Sequence, residues 1–258
     1  MCFDAAQTHQ NFRKEALRFQ KNNKPVTLQQ KWPKTLEHVA TNYYHINGFN
    51  HPNLLAYHWN KDGLGLNLYS WGLIPRWVNS AEKAAQLAKK TLNARGETVF
   101  EKPSFRDAAK QQRIVLPLDG FYEHHHKKGK KIPHFIQAAD GRRLMIAAIA
   151  SEWLNTDSET IHTFSIVTCV GNKTMASIHN NPKLKGPRMP LLLDDEQLMD
   201  WLTAPPTLAQ EIIRPNNKLV LNYYPVRPLR GKSYLGNCPE IQQEYQYPET
   251  YDPPTLFG

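Results

Sequence analysis

The residue with the most distinctive chemistry is Cys2, which follows the initiator Met1. Because a small second residue normally lets the initiator be removed, we expect a chain that starts with both a free α-amine and a thiol. Their reference pKa values, about 8 and about 8.5, leave each partly nucleophilic at neutral pH. With an aldehyde, the amine can form an imine and the thiolate can then close a five-membered thiazolidine within the same molecule. The alternative interpretation is that Cys2 is incidental.

The spacing of the cysteines and of the histidine run predicts no metal site, and we expect no cofactor. Cys169 and Cys238 are widely spaced in the sequence, so the three cysteines fit neither a disulfide framework nor a paired metal-binding pattern. The run from His124 to His126 would alternate sides on a strand, which does not favour a metal site. We expect these histidines to be solvated or to face DNA.

The charge balance is basic, with 32 Lys and Arg against 23 Asp and Glu and a pI near 9.4. A polyanionic partner is therefore reasonable, although a well-solvated surface would give the same balance. The sequence has no run of eighteen apolar residues, and its start resembles no secretory signal. We expect a cytoplasmic protein, associated with the nucleoid when it is bound to DNA, and no membrane contact.

A β-rich fold is predicted to position these groups. Short runs of β-branched and aromatic residues, separated by Gly, Asp, Asn and Lys, predict mostly antiparallel strands. These runs are residues 54–59, 114–118, 134–138, 144–150, 163–168 and part of 218–226. Helical spacing predicts helices at 12–20, at 81–88 after an N-cap at Ser80, at 172–177 and at 195–202. Residues 43–49 are predicted to form an aromatic loop.

Four segments resemble, together with Cys2 and in this order, the motifs of the SRAP (SOS response-associated peptidase) family. They are Trp71-Gly-Leu-Ile-Pro-Arg-Trp77, Asn93-Ala-Arg-Gly-Glu-Thr98, Asp119-Gly-Phe-Tyr-Glu123, and Ile178-His179 with Arg188-Met-Pro190. Five ordered matches between positions 2 and 190 are a specific signal. The resemblance implies one α+β domain over residues 1–238, with mostly antiparallel sheets, a barrel-like core and flanking helices. Residues 239–258 are expected to form an extended tail.

The resemblance also assigns the catalytic roles. Cys2 would attach covalently to the ring-opened sugar of an abasic site, and Asn93 would hold the Cys2 amino group or the opened sugar. Glu123 would act as the acid and base during attack and ring opening. His179 would move protons at the sugar hydroxyl and assist β-elimination.

The implied DNA contacts are Arg95 and Arg188, which would bind phosphates, and Trp77, which would stack on a base beside the lesion. Trp71 is predicted to lie in the core, and Glu97 is predicted to pair with Arg95. Three departures from the family pattern stand out. Phe3-Asp4 replaces Gly-Arg, His124 replaces Trp, and residues 180–187 are inserted between the His and Arg-Met-Pro motifs.

The resulting functional hypothesis is a monomeric sensor that captures abasic sites in single-stranded DNA as a thiazolidine crosslink through Cys2 and so shields the lesion. The resemblance further implies a weak lyase activity that cleaves the DNA strand and a peptidase activity on the protein's own amino terminus. One alternative is an amino-terminal nucleophile amidase or thiol peptidase with His179 as base. The other is a noncovalent nucleic-acid-binding module in which Cys2 has no role.

Overall fold

The computed structural model describes residues 2–8, 15, 41–181 and 185–248, and this part of the chain forms thirteen strands and five α-helices. The strands are β1 (Asp4–Gln7), β2 (Tyr43–Asn47), β3 (Asn53–Asn60), β4 (Gly63–Trp71), β5 (Asn93–Arg95), β6 (Arg113–Leu118), β7 (Gly120–Lys127), β8 (Lys130–Ala138), β9 (Leu144–Leu154), β10 (Thr160–Val170), β11 (Arg188–Pro190), β12 (Leu192–Leu193) and β13 (Leu221–Pro225). The helices are α1 (Ala81–Ala88), α2 (Arg106–Gln111), α3 (Lys173–Ile178), α4 (Asp195–Thr203) and α5 (Pro206–Glu211). Short 3-10 turns span Gly48–Asn50, Gly96–Thr98 and Pro239–Gln242.

Five strands close into a barrel in the order β4, β3, β6, β9 and β10, with β10 returning to β4. The closing β10–β4 pair is parallel, whereas the other pairs around the ring are antiparallel. Every side chain of β6 is buried, in keeping with a strand packed on both faces. The barrel and its flanking helices confirm the predicted α+β class.

A second, five-stranded sheet has the order β13, β8, β7, β1 and β2, so the first strand of the chain lies between two others. The last residue of β1, Gln7, joins this sheet to the barrel. The fully buried Gln7 amide donates to the carbonyl oxygens of Leu55 and Pro117 at 2.8 and 3.1 Å and accepts from the Leu55 N–H at 2.8 Å. Because buried backbone groups need partners, this amide replaces ladder hydrogen bonds where β1 meets the barrel.

Caps and packing fix the helices around the barrel. As predicted, Ser80 caps α1 by accepting from the Lys83 N–H. Asp194 caps α4 in a reciprocal capping box with Gln197. Trp201 of α4 is fully buried, and its Nε1 donates to carbonyl oxygens of β6 and β9. This contact seats α4 on the outside of the barrel.

The structure confirms the predicted strands and the helices near 81, 172 and 195, but residues 43–47 of the predicted aromatic loop form β2. These five residues pair with β1, a long-range contact that the local sequence does not signal. The helix predicted at 12–20 lies outside the described residues except for Glu15. Within the expected tail, the 3-10 turn Pro239–Gln242 packs on the domain through the fully buried Ile241.

The described residues show neither a membrane-spanning helix nor a cluster of metal ligands. No described helix is both long and apolar enough to cross a membrane. In the same part of the chain, no group of three or more His, Cys, Asp or Glu side chains is placed to hold a metal ion.

Candidate active site

Cys2 lies buried at the entrance of β1, with 1% of its surface exposed. Its carbonyl oxygen accepts a 2.8 Å hydrogen bond from Asn93 Nδ2, and its thiol donates to the carbonyl oxygen of Asp4 at 3.6 Å. Burial, followed by the negative charge of Glu123, raises the pKa of the Cys2 thiol well above its usual range. The sulfur is therefore protonated at neutral pH and lies close enough to Glu123 to sense its charge.

The buried carboxylate of Asp4 holds the strand behind Cys2. It accepts hydrogen bonds from Asn47 Nδ2 at 2.7 Å and Arg230 Nη2 at 3.2 Å, and it lies 3.1 Å from His45 Nε2. Although burial opposes ionisation, His45, Arg230 and Asn47 together lower the pKa of Asp4. The Phe3-Asp4 departure from the family pattern thus supplies an anchor for β1.

Asn93 approaches Cys2 from β5, which pairs in parallel with β10. Strand alternation places Asn93 and Arg95 on the same side, as predicted, with the buried Ala94 between them on the other. Arg95 is exposed, whereas the Oδ1 atom of Asn93 is buried and has no hydrogen-bond partner within the described part of the chain. An acceptor next to the start of the chain is thus available for a donor such as an amine.

Glu123 and His179 form a buried pair on the same side of the molecule. Glu123 Oε2 lies 3.7 Å from His179 Nδ1, and Glu123 Oε1 accepts from the His124 N–H at 3.0 Å. His179 is the residue at the end of α3, with its Nδ1 atom 3.2 Å from the Arg188 N–H nitrogen and 3.1 Å from the Arg188 carbonyl oxygen. An imidazole in this position is placed to exchange a proton with Glu123.

Arg188 reaches the site despite the eight-residue insertion, Asn180 to Pro187. Its guanidinium donates to both carboxylate oxygens of Glu97, at 2.7 and 2.9 Å, and to the Thr168 carbonyl oxygen at 2.8 Å. These hydrogen bonds from Arg188 lower the pKa of Glu97. The predicted pairing of Glu97 with Arg95 is therefore wrong, because the fold brings β11 rather than the end of β5 to this carboxylate.

The contacts that place His179 include one that the sequence reading missed. The Asn180 side chain accepts from the His126 N–H at 2.7 Å and donates to the His126 carbonyl oxygen at 2.9 Å. This two-bond contact ties the residue after His179 to β7, the strand that carries Glu123. The available signal was the Asn directly after the motif histidine, a side chain suited to pairing with a strand edge.

Trp77 is exposed on the surface, whereas Trp71 is fully buried as predicted. Trp77 is 47% exposed, with Lys83 Nζ 5.0 Å from the centre of its ring. On β10, the neighbour of Trp71 is Phe164 and the neighbour of Arg95 is Thr168. The four residue steps from Phe164 to Thr168 correspond to about 13 Å of strand, which separates Trp71 from Arg95 along β10.

The described geometry therefore assembles a thiol, a carboxylate, an imidazole and an unpartnered amide oxygen around the start of β1. Arg95 is exposed beside them, and Arg188 lies behind His179. Such a group can activate a nucleophile, move protons and attract an anion. The sequence reading named all of these side chains, but it did not find the Asp4, Gln7 and Asn180 contacts that hold them.

Comparisons with known proteins agree with this geometry. The model of the family described as SOS response associated peptidase (SRAP) matches residues 1–232. The chain is 32% identical over 179 residues to the abasic site processing protein YoqW of Bacillus subtilis (strain 168), covering 68% of this chain and 75% of YoqW. It is 30% identical over 219 residues to the abasic site processing protein HMCES of Xenopus tropicalis, covering 74% of this chain and 62% of HMCES.

Solved structures share the fold. A crystal structure of a Bacteroides thetaiotaomicron protein superposes with a TM-score of 0.79 at 29% identity, covering 95% of this chain and all of that one. A second, from Bordetella bronchiseptica, gives a TM-score of 0.68 at 25% identity over 87% of this chain and 99% of that chain.

Proposed function

We propose, from the premise that the chain belongs to the SOS response associated peptidase (SRAP) family, that it captures abasic sites in single-stranded DNA as a thiazolidine crosslink through Cys2. The observation that carries the proposal is the group formed by Cys2, Asn93, Glu123 and His179 at the entrance of β1. The abasic-site-processing names of the relatives support the substrate class.

The first step is attack by the Cys2 α-amine, freed by removal of Met1, on the C1′ aldehyde of the opened sugar. Glu123 carries the two protons that the amine loses to the aldehyde oxygen in turn: the first gives the carbinolamine hydroxyl, and the second releases that hydroxyl as water and leaves a neutral imine. The unpartnered Asn93 Oδ1 accepts a hydrogen bond from the amine and orients its lone pair. The amine acts before the sulfur because the raised thiol pKa leaves little thiolate at neutral pH.

In the second step the Cys2 sulfur adds to the imine carbon. The S–C1′ bond forms as the thiol proton passes through Glu123 to the imine nitrogen, which becomes the secondary amine of the thiazolidine. No atom leaves in this step. Closure is favoured because the sulfur and the imine belong to one residue.

The DNA strand would follow the basic side chains around this group. Arg95 is exposed two residues after Asn93 and is proposed to bind a phosphate beside the lesion. Arg188 would share its charge between Glu97 and a second phosphate, and its backbone holds His179. Trp77 would stack on a base further along the strand.

The Glu123 and His179 pair also favours a weak lyase activity. An imine at C1′ acidifies the neighbouring C2′ proton, and a base that removes it expels the 3′ phosphate by β-elimination. His179, 3.7 Å from Glu123, is placed to share that proton. The protein would act as a monomer on cytoplasmic DNA, and thiazolidine closure would compete with strand cleavage.

The test is intact-mass measurement of the purified protein before and after mixing with a single-stranded oligonucleotide that contains an aldehydic abasic site. We expect loss of Met1 and an adduct that survives denaturing electrophoresis. Cys2→Ala should abolish the stable adduct, and Cys2→Ser should leave only an imine that borohydride traps. A Cys169→Ser control should behave as wild type. A processed wild-type protein that forms no adduct would refute covalent capture.

A further inference from the structure

The hairpin formed by β7 and β8 starts at the active site and carries further side chains on the same face. In its register, Glu123 lies opposite His134, and His125 lies opposite Ile132. Alternation therefore places Glu123, His125 and His134 on one face of the sheet. On the next strand, β13, Tyr223 lies opposite Ile136 and so belongs to this face as well.

These side chains form a row of rings. The His125 and His134 rings lie 5.8 Å apart, and the His134 and Tyr223 rings lie 6.1 Å apart. The row adjoins the active site, because His125 Nδ1 lies 3.0 Å from the carbonyl oxygen of Ser177 and the Ser177 hydroxyl lies 3.5 Å from the Tyr223 hydroxyl. Ser177 precedes His179 by two residues. Tyr223 is 44% exposed, so its ring can accept a stacked base.

The tip of the hairpin is strongly basic. Lys127, Lys128, Lys130 and Lys131 surround Gly129, and residues 124–133 contain no Asp or Glu. Lys128 and Gly129 have positive φ angles of 48° and 78°, as the two central residues of a tight type I′ turn require. The four residue steps along β7 from Glu123 to Lys127 correspond to about 13 Å. The lysines thus lie beyond the rings, in the direction that leads away from the catalytic group.

We propose that the β7–β8 hairpin is an arm that binds the single-stranded DNA on one side of the lesion, with the ring row contacting bases and the lysine tip contacting phosphates. The inference rests on the proposed function for the position of the lesion. Rings that lie next to a line of cations provide the stacking and phosphate neutralisation that single-strand binding needs without base readout. Burial lowers the pKa of His134, so its ring is neutral at pH 7 and adds a π-face to the row.

The lysine tip is tested by salt dependence. In a Cys2→Ser background, which prevents stable capture, fluorescence anisotropy would measure binding to an oligonucleotide with a tetrahydrofuran abasic analogue. Lys128→Gln with Lys130→Gln, where Lys130 pairs with Lys127 on the face of the rings, should reduce the slope of log affinity against log salt by about 1.4, the value for two single-strand phosphate contacts. Lys110→Gln with Lys218→Gln makes the same charge change elsewhere and should leave the slope unchanged. Equal slopes for both pairs would overturn the proposal.

The ring row is tested separately. Tyr223→Ala should weaken binding by about tenfold without changing the salt slope, and Tyr223→Phe should keep the wild-type affinity because the ring is retained. Thermal melting of each variant reports whether the domain is intact. Wild-type affinity in Tyr223→Ala, or an equal loss in Tyr223→Phe, would show that no base stacks on this ring.

Oligonucleotides truncated at the lesion on one side or the other identify the flank. The effect of the lysine pair should disappear with one truncation and persist with the other, and persistence with both would contradict a single-flank arm. Failure of the inference is distinguishable from failure of the proposed function. Adduct formation without any hairpin effect refutes only the arm, whereas hairpin-dependent binding without an adduct refutes only covalent capture.

Discussion

At the scale of single residues, the environment of Cys2 sets the order of its chemistry. A fully buried thiol next to a carboxylate keeps its proton at neutral pH, so the sulfur is a poor first nucleophile. In the proposed mechanism the α-amine therefore attacks first, with Glu123, whose charge acts on the Cys2 thiol, as the base. The thiol needs Glu123 only at the closing step, when its proton must leave.

Glu123→Gln should therefore slow adduct formation without preventing DNA binding. We expect a rate decrease of about 10²-fold or more, the usual contribution of a positioned acid and base. Single-turnover kinetics, with adduct resolved on denaturing gels, would measure it. Glu82→Gln, on the exposed first turn of α1, is the control and should react at the wild-type rate. An unchanged rate in Glu123→Gln would remove this carboxylate from the mechanism.

At the scale of elements, short strands and one inserted loop hold the catalytic side chains. β1 has four residues and would be marginal alone, so its position depends on β2, β7 and the contacts of Asp4. The insertion before Arg188 begins with Asn180, whose two hydrogen bonds to β7 keep His179 beside Glu123. The extra length is thus accommodated without moving the motif residues apart.

Asp4→Asn should destabilise the domain at neutral pH, by about 2 kcal/mol for hydrogen bonds to a buried charge. The folded-state pKa of Asp4 is below its unfolded value, so its contribution is present above the unfolded pKa of about 3.9 and is lost as pH falls through the folded pKa. The stability difference between wild type and Asp4→Asn should therefore shrink in acid. Urea denaturation at neutral and acidic pH would measure it, and a pH-independent difference would contradict this role.

At the scale of the whole molecule, the active site lies where the barrel and the five-stranded sheet meet. Asn93 and Arg188 come from strands paired with β10 of the barrel, whereas Cys2 and Glu123 come from the other sheet. The two parts must keep a fixed orientation for these side chains to meet. The buried amide of Gln7 is one direct connection between them.

Gln7→Ala should reduce both stability and adduct formation. The substitution leaves two backbone groups of Leu55 and one of Pro117 without their partner, and we expect a loss of about 3 kcal/mol in the free energy of unfolding. Gln137→Ala, on β8 and partly exposed, is the matched control and should change stability by less than about 1 kcal/mol. Denaturant unfolding measures the free energy of unfolding of the two variants, and denaturing gels measure their adduct formation. Equal losses in Gln7→Ala and Gln137→Ala would show that the Gln7 amide has no special role.

The sequence by itself determined the family, the class of fold and six of the thirteen described strands, and it named the side chains proposed for the site, because motif residues and alternating apolar runs are local patterns. Only the tertiary structure decided that β2 is a strand, that Glu97 pairs with Arg188, and that Asp4, Gln7 and Asn180 fix the site. The side chains in these outcomes contact partners that lie 41 to 226 residues away in the sequence, and β2 depends on its pairing with β1. Local propensity does not encode such distant pairings, since they form only when the sheet and the barrel pack together.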